Sequence, residues 1–185
     1  MNKTLLMLLT TTALFSEQVN AELNKNEVVN QIQAQVSSWI NIQVTPQSSI
    51  IQKMVFNCKF YSAIPSIKSP DGNEISSGSY RFYSHNGVLG AMTEPFTTQP
   101  LPELTMCLKE EFKVTNQDQA QLLFEAIETV YPDNSMFDER FPKEIIKNSY
   151  GWHFINGEIF GDKKGYVVES TSEGKVTKII RSLNL

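Results

Sequence analysis

QDQAQLLFEAIETVY, residues 117–131, is the stretch whose reading decides the fold. Ala120, Leu123, Phe124, Ile127, Val130 and Tyr131 fall at i, i+3, i+4, i+7, i+10 and i+11, a continuous apolar stripe at helical period. Thr115 and Asn116 both suit the N-cap, and Asp118 or Gln119 can complete a capping box. Pro132 ends the helix, since its ring cannot continue the backbone ladder. A lone amphipathic helix of this length is marginal in water, so the stripe needs a sheet to lie on.

Both flanks supply strand patterns. Upstream, residues 104–114 place Met106, Leu108, Phe112 and Val114 on one parity. Residues 50–62 read as a long strand with Met54, Phe56, Cys58 and Phe60 on its core face, ended by Pro65. Residues 79–84 and 88–93 form a hairpin around Asn86-Gly87, a strong two-residue turn signal. Residues 26–41 read as a second amphipathic helix, with Val28, Val29, Ile32, Val36, Trp39 and Ile40 on one face and Asn24 or Asn26 as cap. Downstream, residues 142–149 read as a short helix carrying Ile145 and Ile146. Then comes a meander: 152–156, a turn at Asn156-Gly157, 158–161, 166–170 and 175–183. The expected fold is α+β, with two amphipathic helices on a curved, mainly antiparallel sheet. The order also suits two helix-plus-meander halves, 22–114 and 115–185. The pattern leaves open whether the meander closes into a barrel.

The N-terminus has the layout of a secretory signal: Lys3, an apolar run from Leu5 to Phe15, then a polar stretch ending Val19-Asn20-Ala21. The run is far shorter than the roughly 20 residues a membrane span needs. Removing residues 1–21 leaves one domain's worth of chain, 22–185, with no transmembrane segment. The net charge of −4 is unchanged, because Lys3 and Glu17 leave together. An acidic chain with no basic run argues against nucleic acid as a partner. A periplasmic or secreted protein can keep a disulfide, and Cys58 and Cys107 are the two cysteines. Two buried thiols are the alternative. Cys107 has the opposite parity to its apolar neighbours, so a bridge between core faces calls for a bulge or a shifted register.

Catalytic motifs are scarce. His85 and His153 are the two histidines, too few and wrongly spaced for a zinc site. No nucleophile elbow, P-loop or dinucleotide fingerprint occurs, and no cofactor or metal is expected. The loop 132–142 gathers Asp133, Ser135, Asp138 and Glu139, but not at calcium-loop spacing. Aromatics mark the turns instead. Phe137 and Phe141 in that loop, with His85 and Tyr83 at the hairpin, are the expected contact residues. The functional expectation is an exported, non-enzymatic binding or interaction module. Its partner would be another extracytoplasmic protein or a small apolar ligand. The alternative is a small hydrolase using His153 with Asp138 or Glu139. Export predicts a mature N-terminus at Glu22, checked by N-terminal sequencing; an extracytoplasmic protein that still begins at Met1 would overturn it.

Overall fold

The computed structural model describes residues 23–35, 41–76, 78–93, 97–132, 143–159 and 162–185. Helix α1 (Lys25–Gln35) leads to β1 (Asn41–Gln47), α2 (Ile50–Val55) and β2 (Lys59–Lys68). Then follow β3 (Glu74–Ser76), β4 (Tyr80–His85), β5 (Val88–Ala91), β6 (Gln99–Pro100) and α3 (Pro102–Cys107). The second half holds α4 (Gln117–Val130), β7 (Glu144–Lys147), β8 (Gly151–Ile159), β9 (Asp162–Ser170) and β10 (Val176–Ser182). These ten strands form two antiparallel five-stranded sheets, neither closed. The first runs β1-β2-β4-β5 with β3 also on β2; the second runs β6-β10-β9-β8-β7. The antiparallel character is as expected, and the strands form two sheets in place of one curved sheet.

Helix α4 starts as the sequence implies. The Asn116 side chain accepts from Gln119 N–H at 2.9 Å, and Gln119 Oε1 accepts from the Thr115 N–H and hydroxyl, each at 2.8 Å. Ala120, Leu123, Phe124, Ile127 and Val130 are buried in the main apolar cluster with Trp152, Phe154, Tyr166, Val168 and Ile179 of the second sheet. The Phe124 ring lies 5.2 Å from Phe154 and 6.4 Å from Tyr166. A smaller cluster joins Val28 and Ile32 of α1 to Val44, Tyr61, Ala63 and Phe82 of the first sheet.

Several local expectations are corrected. Residues 50–62 are not one strand. Ser49 accepts from Gln52 N–H at 2.9 Å and Gln52 caps it in return, so a capping box turns 50–55 into α2 and leaves Met54 exposed. Residues 104–114 are not a strand either. Pro102 opens α3, and Leu101, Leu104 and Cys107 share its buried side while Met106 is exposed. The first helix is described only to Gln35, and Asn41 already begins a strand. Pro46 is tolerated there because β1 is an edge. Pro65 lies within β2, at the gap where neither β3 nor β4 pairs with it. The short helix expected at 142–149 is strand β7, whose Ile145 and Ile146 are β-branched. Asn156-Gly157 does not turn the chain. Ile155 and Gly157 pair with successive β9 residues, so Asn156 is the extra residue of a bulge.

Cys58 and Cys107 form a disulfide with Cα atoms 5.2 Å apart. The parity objection lapses because Cys107 ends a helix. Asn57 N–H donates to the Cys107 carbonyl at 2.8 Å and Lys109 N–H to the Val55 carbonyl at 3.0 Å, flanking the bond. The bond closes a separation of 49 residues, and chain entropy alone gives it about 4 kcal/mol. Cys58→Ser/Cys107→Ser is therefore expected to lower the unfolding free energy by about 4 kcal/mol and to steepen the denaturant slope, because the freed unfolded chain exposes more surface; an unchanged unfolding free energy would contradict it.

Candidate functional site

The second sheet has one face toward α4 and one away from it. Alternation along β8 and β9 sends Trp152, Phe154, Tyr166 and Val168 into the core. The residues between them point outward, and the strand registers line them up across the sheet. Ile146 pairs with His153, His153 with Val167, Val167 with Ile180 and Ile180 with Pro100, one row crossing all five strands. Ile146 in this row is 45% exposed.

Beside the row lies an open depression of ≈ 460 Å³, lined by Asn148, Ser149, Tyr150, His153, Val167, Glu169, Ser170 and Thr177. Gly151 pairs with Glu169 and His153 with Val167, which puts Glu169 diagonally across from His153 on the same face. Among the described residues no hydrogen bond holds the His153 ring. Val176 pairs with Ser170 and Lys178 with Glu169, so Thr177 is a bulged residue; its hydroxyl donates to the Glu169 carbonyl at 3.2 Å.

Two groups of polar side chains hydrogen-bond together inside the fold. Glu103, in the first turn of α3, is 5% exposed. Its Oε1 accepts from Thr93 N–H at 2.9 Å, and its Oε2 from the Thr93 hydroxyl at 3.2 Å. The Tyr131 hydroxyl lies 2.8 Å from Glu103 Oε1 and 2.9 Å from the Thr93 carbonyl, with the Arg81 guanidinium over its ring. Burial, then the facing Glu103 carboxylate, raises the Tyr131 phenol far above its ordinary value. A second polar group forms around the Asn156 bulge. Asn156 donates to Glu128 Oε1 at 2.6 Å, Lys143 pairs with Glu128 Oε2 at 2.7 Å, and the buried Arg181 stacks 4.8 Å from the Tyr166 ring centre. Gly157 gives buried Lys164 its room, since a Cβ there would come within 2.4 Å of the lysine chain.

The expected site residues are scattered. Phe137, Phe141, Asp138 and Glu139 lie outside the described residues. Tyr83 is partly buried against the main cluster, and its ring crosses Gly90 so closely that a Cβ there would meet it at 2.4 Å. That is a packing role. His85 sits at the hairpin tip, where Asn86 and Gly87 take positive φ, in a separate depression of ≈ 360 Å³ with Leu23, Asn57 and Lys59. It lies on the first sheet, whereas His153 lies on the second. The carboxylate the structure does bring to His153 is Glu169, which alternation could have found once the strand pairing was known. Glu128 carried no sequence signal beyond being an acidic residue on the polar face of a helix, and Glu103 none at all, since it preceded the expected strand 104–114. Among the described residues no His, Cys, Asp and Glu side chains converge as a metal site, and no helix is long and apolar enough to cross a membrane.

Comparison with protein-family profiles, with curated proteins and with solved structures finds no match. Function therefore rests on the residues themselves.

The Tyr131 proton gives a pH prediction. The folded protein holds it more tightly than the unfolded chain, so the stability it contributes is complete below the ordinary phenol value of 10.0 and is lost as pH rises above it. Denaturation midpoints should fall more steeply above that pH in the wild type than in Tyr131→Phe; parallel curves would contradict this.

Proposed function

We propose that the chain is an exported, non-enzymatic binding module. After removal of residues 1–21 it acts as one α+β domain whose contact surface is the face of the second sheet opposite α4. The observation that carries this reading is the cross-strand row Ile146, His153, Val167 and Ile180 beside an open depression, with Ile146 45% and Tyr150 79% exposed. A half-exposed apolar row on a rigid sheet is suited to recognition. Both strand bulges lie in this sheet, and bulges commonly re-aim side chains beside functional sites. The disulfide is in keeping with an oxidising compartment.

A second reading has one observation in its favour. Glu169 lies diagonal to His153 in the same depression, so a substrate entering there would meet an imidazole and a carboxylate together. That hydrolase would show a turnover that His153→Ala abolishes, whereas a binding module has no turnover for that variant to remove.

Immobilised protein challenged with the soluble extracytoplasmic fraction of its source cells tests the first reading. Whatever it retains should be lost, by about tenfold or more, in Ile146→Glu/Val167→Lys. Retention unaffected by that pair would move the contact surface elsewhere.

A further inference from the structure

Tyr150 is 79% exposed, yet its backbone is held on every side. Its N–H donates to the Asn148 side chain at 2.8 Å, and its carbonyl accepts from Ser170 N–H at 3.0 Å. Asn148 N–H closes the same turn onto the Gly151 carbonyl at 2.9 Å. Gly151 makes the turn possible: its φ is 152°, and a Cβ there would lie 1.9 Å from the Val168 carbonyl oxygen. An aromatic ring shown to water from a fixed backbone has little freedom to lose when a ligand covers it.

The depression beside the ring is polar. Asn148 offers an amide, Ser170 and Thr177 hydroxyls, and Glu169 a carboxylate, with His153 and Val167 from the neighbouring strands. Thr177 lines it as the bulged residue of β10. A ligand matching this arrangement has one apolar face for the ring and a rim of hydroxyls for the amide, hydroxyl and carboxylate groups. It needs no net charge, since the one carboxylate of the lining, Glu169, pairs across the strands with the exposed Lys178. It also has to be extended, because the depression is open and cannot enclose a small apolar molecule. A pyranose chain has these properties: C–H bonds on the ring faces, hydroxyls around the edge and a linear form.

We infer that this depression binds a neutral oligosaccharide, with a sugar ring stacked on Tyr150 and its hydroxyls served by Asn148, Glu169, Ser170 and Thr177. The inference rests on the binding-module reading and names its ligand class. A strongly apolar ligand lacks matching groups here. A protein partner would use the apolar row more than the polar depression.

Titration of the exported, isotope-labelled protein with cellohexaose, chitohexaose and maltohexaose, each to about 10 mM, covers the weak end of measurable affinity. At least one sugar should shift amide signals in residues 148–153, 167–170 and 177 and leave the first sheet unchanged. Tyr150→Ala should weaken that response by about tenfold or more, and Tyr150→Phe should keep most of it. The unchanged signals of the first sheet serve as the folding control for both variants. No response to any of the three sugars, or a response that Tyr150→Ala leaves intact, overturns the inference. If the sugars fail while a partner is still retained through Ile146 and Val167, the saccharide is wrong and the binding module stands; if both fail, both readings fall.

Discussion

The bond between Cys58 and Cys107 closes the seam on which both sheets hang. Cys58 lies between α2 and β2, and Cys107 is the last residue of α3. Two backbone hydrogen bonds flank the sulfurs, so Phe56 and Leu108 meet as an isolated bridge beside them. At its other end α3 is tied to the second sheet, where Leu101 N–H donates to the Ile179 carbonyl at 2.8 Å. The α3 segment thus connects the α2–β2 link beside the first sheet, by one covalent and two hydrogen bonds, to β10 of the second. Glu103 adds the remaining tie. Its carboxylate gathers Thr93, just past β5, and Tyr131, at the end of α4. A buried carboxylate is costly unless its oxygens are met, and here three donors meet them.

This seam explains why the two faces of the second sheet differ. α4 is capped at Asn116, and α3 is held by the disulfide, so the core face of β8, β9 and β10 is filled with Trp152, Phe154, Tyr166, Val168 and Ile179. Strand alternation then has no choice but to send His153, Val167 and Ile180 outward. The bulge at Asn156 changes the count by one. Beyond it the core face carries polar groups, with Asn156 reaching Glu128 and Arg181 lying over Tyr166. The sheet's core face is therefore apolar beneath the middle of α4 and polar toward its end, where Glu128 meets Lys143.

The long-period features were legible in the residues. The 117–131 stripe, its Asn116 cap, the Asn86-Gly87 hairpin and the antiparallel character all appear as read. What was not legible turns on short-range competition. Residues 50–55 and 102–107 carry apolar residues that suit either period over so short a span. A capping box and a leading proline decide them for helix. Ser49 and Gln52 stood at the right spacing to reveal the first. Asn-Gly signals a turn when strands on both sides need one; in β8 the neighbouring strand continues, and the pair becomes a bulge instead. The depression around His153 was hidden for the same reason. Placing Glu169 and Thr177 beside it requires the register of three strands, including two bulges that no single segment encodes.

The proposed binding role draws on how this architecture places its charged groups. A general base works when a partner fixes its ring and the site excludes water. Glu103 and Glu128, the carboxylates drawn inward, are already engaged by Thr93 and Tyr131 and by Lys143 and Asn156. His153 faces an open depression, and among the described residues nothing orients its ring. What the outer face does have is rigidity beneath exposed side chains. The Asn148–Gly151 turn is cross-linked by its own hydrogen bonds, and the β8 and β9 backbones are paired along most of their length. Fixed backbone under accessible aromatic and hydroxyl groups reduces the ordering cost of contact, which favours recognition.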